Sequence, residues 1–461
     1  MDRDIVVVSN RGPVSFVRER DGSFTPKRGA GGLVSSLAPL IEGTGTEWIA
    51  AAVSDDDRAA AARGMVDAAG FRLLTLPLDV DDYRMAYDVV SNATLWFLHH
   101  GLYDLPRRPR FDRHWREAWE GYRRVNEAFA DAVVDTAPRD AVVLVQDYHL
   151  ALVGAHLRDR RPDLRAVHFT HTPFCGPNSI RVLPEYAAEE LLTGMAAYDA
   201  CGFHSTRWAR AFTACCNEVL GRAPRTYVSP IAPDADDLRR VAESDAAAAA
   251  GRDLDARVGD RRMILRVDRI ELSKNLLRGF LAFDDLLREH PEWRERVVFF
   301  AFVYPSRVDL AEYQSYRQEV EGLVGRINAE WGTARWTPIL LDTDDDFPRS
   351  VAALARYDVL LVNPVKDGLN LVAKEGPLLN RNDGVLLLSR EAGAWEELHD
   401  VAVGLNPFDV SATADQLHDA LSMDQDERHR HAAALRSKAG ARAPRDWLDD
   451  QLRAATAETP G

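Results

Sequence analysis

Cysteine is scarce in this chain, with four residues among 461. Cys175, Cys201, Cys215 and Cys216 show no metal-ligand spacing, and adjacent Cys215 and Cys216 fall inside a helical pattern. Reduced thiols serving as core filler fit that arrangement, which implies a reducing compartment. No apolar run is long enough to span a membrane. The opening MDRDIVVVSN has too short an apolar run, and too acidic a flank, for a signal peptide. A cytoplasmic protein with no membrane partner is the expectation. Positive charge is also in deficit. Lys and Arg number 57 against 72 Asp and Glu, a net charge of −15, which argues against nucleic acid as a partner.

Several motifs are missing too. No G-x-G-x-x-G follows the first apolar run, and GAGGL (29–33) is only a weak glycine turn. There is no G-x-x-x-x-G-K-[ST] and no Ser–His–Asp signature. His99-His100 and the pair His168 and His171 lack a carboxylate at zinc-site spacing, so no metal site and no cofactor are expected. The acidic DTDDDF (342–347) precedes a helical pattern and reads as a solvated loop with a helix cap.

What is present is alternation. Short β-branched runs recur: IVVVSN, RLLTLPL, AVVLVQD, AVHFTH, MILRVDR, VVFFAFVYP, PILLD, DVLLVNP and VLLLS. Amphipathic stretches lie between them, among them HWREAWEGYRRVNEAFADAVVDTA and EYQSYRQEVEGLVGRINAEWG. Continuous apolar strands separated by helices imply parallel sheets covered on both faces. The length calls for two or three domains, and the alternation restarts at Met263 after a polar, Ala-rich stretch near 235–258. The expected fold class is therefore α/β, with two Rossmann-like doubly wound parallel-sheet domains facing a central cleft. The first spans 1–235 and the second 236–440. A C-terminal helix at about 441–461 is expected to pack back onto the first domain.

Open α/β sheets bind ligands beyond the carboxyl ends of their strands, so those ends hold the candidate chemistry. The first half offers Ser9-Asn10-Arg11, Gln146-Asp147-Tyr148-His149, His168 and His171. The second offers Arg266, Arg269, Lys274, Tyr304-Pro305-Ser306-Arg307 and Asp367-Gly368. An Arg fork and a Lys five residues apart suit a diphosphate. An exposed ion pair with Glu271 or Asp268 is the competing reading. In DGLNLVAKE, Gly368 permits close backbone approach, Asn370 stands where it would cap the next helix, and free amides there would meet an anion. Asp367 and Glu375 are then acceptors for sugar or ribose hydroxyls. Aromatic core is the competing reading for Trp48, Tyr87 and Trp96.

VVVSNR…GAGGL, SNATLW, QDYHL, FTHTPF, the segment from Arg269 to Lys274, GRINAEWG…WTPI, DGLNLVAKE and LNPFD occur in order from about residue 5 to about residue 450. Together they resemble the trehalose-6-phosphate synthases, retaining glycosyltransferases of the two-domain type called GT-B. The resemblance implies small-molecule substrates, a nucleoside-diphosphate glucose and glucose 6-phosphate. It assigns Arg11, Tyr87, Trp96 and Arg307 to the acceptor phosphate, Trp48 to the acceptor sugar and Asp147 to acceptor hydroxyls. His171 falls near the donor glucose. Gly32, Arg269 and Lys274 match the donor diphosphate site, Asp367 a donor-sugar contact, Glu375 the ribose, and Asn370 and Leu371 backbone donors. Asp147, His171, Arg269 and Lys274 carry the chemistry in this reading. Glucose would pass with retention to the acceptor's anomeric hydroxyl, the leaving diphosphate taking the proton.

The chain departs from the family at RIELSKN, where Asn275 replaces a glycine, and at Gln146, which replaces a common histidine. The stretch GPVSFVRERDGSFTPKRGAGG reads as a long loop that moves over the acceptor. Gly376-Pro377 should shorten or kink its helix, and makes pseudo-glycosyltransferases of the validoxylamine-phosphate type the second enzymatic reading. A catalytically silent nucleotide-sugar-binding or regulatory protein is the alternative of another class. The acidic loop 342–347 inclines the donor base toward guanine, with uracil and adenine open. A homo-oligomer is compatible with the sequence.

Overall fold

A computed structural model describes residues 3–28, 32–307 and 310–457. The chain separates into two compact units, Met1–Ile231 with Pro444–Gly461, and Ala232–Ala443.

In the first unit ten strands are found, β1 (Ile5–Ser9), β2 (Val14–Arg18), β3 (Phe24–Arg28), β4 (Glu47–Ala51), β5 (Val66–Ala68), β6 (Phe71–Leu76), β7 (Val142–Gln146), β8 (Arg165–Thr170), β9 (Ala200–Phe203) and β10 (Thr226–Val228). Eight form one sheet in the order β10-β9-β8-β7-β1-β4-β6-β5, parallel except for the β5–β6 edge. The order runs outward in both directions from β1 and β7, which places the ends of those two strands side by side, with Ser9 opposite Gln146. VVLVQ of β7 is buried throughout because helices cover both faces of a parallel sheet.

Residues 14–28 are not a loop. β2 and β3 pair antiparallel across a turn with Gly22 at φ +82°. The alternation V-S-F-V-R and the Asp21-Gly22 turn account for the hairpin, and Phe16 N–H anchors it to Asp57 at 2.7 Å. The C-terminal helix Pro444–Thr456 belongs to this unit and packs on β7, β8 and β9. All four cysteines are buried.

In the second unit six strands make one wholly parallel sheet, β11 (Arg262–Ile270), β12 (Val297–Pro305), β13 (Ile339–Asp342), β14 (Val359–Val362), β15 (Val385–Ser389) and β16 (Val403–Leu405), in the order β13-β12-β11-β14-β15-β16. One core cluster lies on a single face of β11 and β12, with Phe280, Phe283, Phe299, Val320 and Leu417 fully buried. β11 and β12 stay in register for nine residues, so Arg269 ends up opposite Tyr304. The Ala-rich stretch is two helices, Ala235–Ala242 and Asp245–Val258. No helix among the described residues is long and apolar enough to cross a membrane.

Candidate active site

In the second unit the strand ends gather a charged cluster. Arg266 is fully buried and binds Asp268 at 2.9 Å, the carbonyl of Lys274 at 2.6 Å and the side chain of Asn363. It is a structural cation, because Nε and Nη2 are spent inside the sheet, while the buried Nη1 meets no acceptor among the described residues. Lys274 reaches Asp367 at 2.6 Å and Asp268 at 3.9 Å. Burial lowers the Lys274 ammonium, and Asp367 and Asp268 more than offset this, so it sits above the ordinary lysine range. Arg269, 47% exposed, pairs with Glu271 at 3.1 Å. Glu271 also accepts from Ser306 at 3.0 Å and Arg307 at 3.3 Å. Burial alone would raise the Glu271 carboxyl, but Arg269, Arg307 and Lys274 together hold it down at about 2. Four cations thus face three carboxylates, an excess of one positive charge.

The Asp367–Leu371 turn completes this half. Asn370 has φ +77° and donates to Asp367 at 3.1 Å. It does not cap the helix Val372–Leu379. The cap position is Leu371, which makes no side-chain cap bond, and the expectation for Asn370 is corrected accordingly. The left-handed backbone turns the Asn370 side chain back onto the turn. Among the described residues, the amides of Leu369, Asn370 and Leu371 meet no acceptor, although Leu369 and Asn370 are buried. Buried unpaired amides are costly unless a ligand satisfies them. Glu375 is partly buried, has no polar side-chain partner among the described residues, and is raised by desolvation to about 7. Pro377 lies in the second turn of that eight-residue helix.

In the first unit Asp147 follows β7 with φ +72°. Its side chain accepts the His171 amide at 3.2 Å, and its carbonyl lies 3.0 Å from His168 Nε2. His171 Nε2 meets Gln146 Oε1 at 3.0 Å. Desolvation lowers His168 to about 4 and His171 to about 3, so both rings are neutral at physiological pH. His168, fully buried, is structural.

Arg11 donates to Tyr87 Oη at 3.2 Å, and Tyr87 stacks between Tyr83 and His149, each 5.6 Å away. Tyr87 stands on Met85–Leu95, a helix widened to the i→i+5 pattern, a form that occurs often at functional sites. Trp48 is corrected to core. It is 0% exposed, and its indole N–H is spent on Ser9 at 2.7 Å. Trp96 is 3% exposed and lies against Phe97 and His100. Arg307 belongs to the second unit, where it contacts Glu271 and Tyr313. Gly32 opens the helix Gly32–Ile41, and the rest of its turn, 29–31, lies outside the described residues.

Asp346 caps the helix Phe347–Arg356, as the acidic run suggested, and Asp342 pairs with Arg349 at 2.6 Å. Sequence reasoning missed Gln451. Its side chain receives a hydrogen bond from Gln146 at 3.1 Å across 305 residues, and no local pattern signals such a contact.

Two doubly wound sheets, each largely or wholly parallel, define an α/β protein of the Rossmann type. The chain belongs to glycosyltransferase family 20, whose model matches residues 3–457, and its fold is of the GT-B type. It is similar to alpha,alpha-trehalose-phosphate synthase 1 (UDP-forming) of Arabidopsis thaliana, 33% identical over 449 residues. That match covers 93% of this chain but 47% of the plant protein, so the chain spans about half of that relative. A solved trehalose-phosphate synthase of Burkholderia xenovorans, in complex with glucose-6-phosphate, is 29% identical with a TM-score of 0.86, covering 98% and 100% of the two chains. The E. coli protein bound with UDP-2-fluoro glucose is 28% identical with a TM-score of 0.87, covering 99% and 100%.

Proposed function

We propose that this protein makes trehalose 6-phosphate, transferring glucose with retention from UDP-glucose to glucose 6-phosphate. The observation that carries the reading is the turn Leu369–Leu371, with three adjacent amides that meet no acceptor among the described residues, beside the Lys274–Asp367 pair. A diphosphate satisfies the amides and takes up the local positive excess. Glu375, without a polar partner, suits the ribose hydroxyls. Arg11 and Tyr87 serve the acceptor phosphate, and the resemblance adds Trp96 and Arg307.

In the reaction the bond from the donor's anomeric carbon to the diphosphate breaks, and a bond to the acceptor's anomeric oxygen forms on the same face. The hydroxyl proton goes to the leaving diphosphate. Positioning and charge stabilisation are what the protein supplies. Arg269 and Lys274 meet the charge developing on the leaving group, while Asp147 orients acceptor hydroxyls.

Uracil is favoured over guanine on two grounds. Asp342 and Asp346 are engaged by Arg349 and by the helix start, which leaves the loop with fewer acceptors for guanine. The related proteins above are described with UDP. Steady-state release of nucleoside diphosphate, measured with glucose 6-phosphate and UDP-, GDP- or ADP-glucose in turn, tests the reading. UDP-glucose should give the highest kcat/KM. Binding without turnover would replace the reading by a silent nucleotide-sugar-binding protein, and preference for a cyclitol amine phosphate by a pseudo-glycosyltransferase.

A further inference from the structure

The strand end that carries His171 is tied to the last helix of the chain. Gln146 presents Oε1 to His171 Nε2 at 3.0 Å and its Nε2 to Gln451 Oε1 at 3.1 Å. Gln146 and Gln451 are 1% and 0% exposed. Among the described residues Gln451 Nε2 has no partner, so this amide serves Gln146 while its own buried donor stays unpaired. Trp447, one turn earlier on the same helix face, lies 5.7 Å from the His171 ring and 5.2 Å from Phe169. The helix is pinned in rotation. Arg225 donates to the carbonyls of Ala454 and Ala457, and Ser229 to Asp450 at 2.6 Å.

We propose that Gln451 is a positioning residue for His171. Through Gln146 it fixes the imidazole proton on Nε2 and leaves Nδ1 as a lone-pair acceptor for a hydroxyl of the donor sugar. The logic is the polarity of the chain of bonds. In the observed orientation Gln451 Oε1 receives the Gln146 amide N–H. Gln146 then turns its oxygen toward His171, and an oxygen there accepts only from a protonated Nε2. A neutral imidazole has one N–H, so Nδ1 is left bare. The main-chain amide of His171 donates to Asp147 at 3.2 Å, which fixes the backbone from which the ring projects. The assignment of Nδ1 to a sugar hydroxyl rests on the glucosyl-transfer reading, but the position of the proton does not.

The test uses the full-length protein labelled with 15N-imidazole histidine, with the His171 resonances identified by their loss in His171→Gln. The wild type should show a protonated Nε2 and an unprotonated Nδ1. Gln451→Glu keeps an acceptor oxygen whether ionised or protonated, and should keep both the tautomer and kcat. Gln451→Met, of similar shape without polar atoms, should give mixed tautomers and a kcat about tenfold lower, the scale of one hydrogen bond. Its KM for glucose 6-phosphate should stay within about twofold. Unchanged His171 resonances and kcat in folded Gln451→Met would overturn the proposal, as would a lost tautomer in folded Gln451→Glu. Should the wild type show no glucosyl transfer, the functional reading fails, while the spectra still decide where the proton sits.

Discussion

The ammonium of Lys274 stands 2.6 Å from Asp367 Oδ2, joining the end of the β11 segment to the turn after β14, 93 residues on. Asn370 donates to that same oxygen. One contact therefore organises both a cation and the amide-bearing turn before any ligand arrives. Asp367→Ala leaves a largely buried ammonium with only the distant Asp268, and is expected to cost about 3 kcal/mol of stability. The double variant Lys274→Met with Asp367→Leu should regain most of that loss while turnover stays abolished. Urea denaturation and nucleoside diphosphate release check the two halves of this prediction.

Arg269 and Lys274 should separate by their effect on the fold. Arg269 is half exposed, and Glu271 keeps Arg307 and Ser306 when it is removed. Arg269→Gln should change stability by less than about 1 kcal/mol and lower kcat about 100-fold, as loss of a transition-state charge partner does. Near-normal turnover in this variant would remove Arg269 from the leaving-group site.

Glu375 gives a pH dependence of known sign. An unfolded glutamate titrates near about 4.3, whereas desolvation raises Glu375 to about 7 in the fold. The folded chain binds this proton more tightly. Its contribution to stability is therefore complete below about 4.3 and is lost as pH rises through about 7. Glu375→Gln should flatten that part of the stability profile between pH 5 and 8. The ionised form is the better acceptor for ribose hydroxyls, so the KM for donor should fall as pH rises through 7 in the wild type only.

Gly393 is fixed by the turn it supports. A Cβ there would lie 1.9 Å from the carbonyl oxygen of Gly368 and 3.0 Å from Leu369 Cα, and the Gly393 N–H bonds to Asp367 O at 3.1 Å. Gly393→Ala must push the 367–371 turn aside, at a cost of about 1–3 kcal/mol. Calorimetry should show a lower Tm. The KM for donor should rise more than the KM for acceptor, and equal changes in both would separate this turn from the donor.

Legibility followed the physics of each element. β1, β6, β7, β8, β11, β12, β13, β14 and β15 each contain a short apolar run, and that pattern declares them. ACGF of β9 hides because it is made largely of small residues, EWIAA of β4 opens on a charge and ends on two alanines, and β5, β10 and β16 are three-residue strands set by their neighbours. The hairpin at 14–28 was readable from its alternation but was masked by the glycines and charges around it. The motif around Asp367 and Glu375 was legible because one short turn carries it. Trp48 was misplaced because an indole reads alike in a core and in a sugar pocket until its N–H partner is known.

The sequence by itself determined the α/β class, the parallel strands of two sheets, and a short turn that brings Asp367, Gly368 and Asn370 together. Those properties are written in local periodicity and in residues close along the chain. Only the tertiary structure decided that Glu271 holds both Arg269 and Arg307, that Trp48 spends its N–H on Ser9, and that Gln451 stands behind Gln146 and His171. Each of these joins groups far apart in sequence, and the hydrogen bond or ion pair that fixes them exists only once the strands and helices have packed.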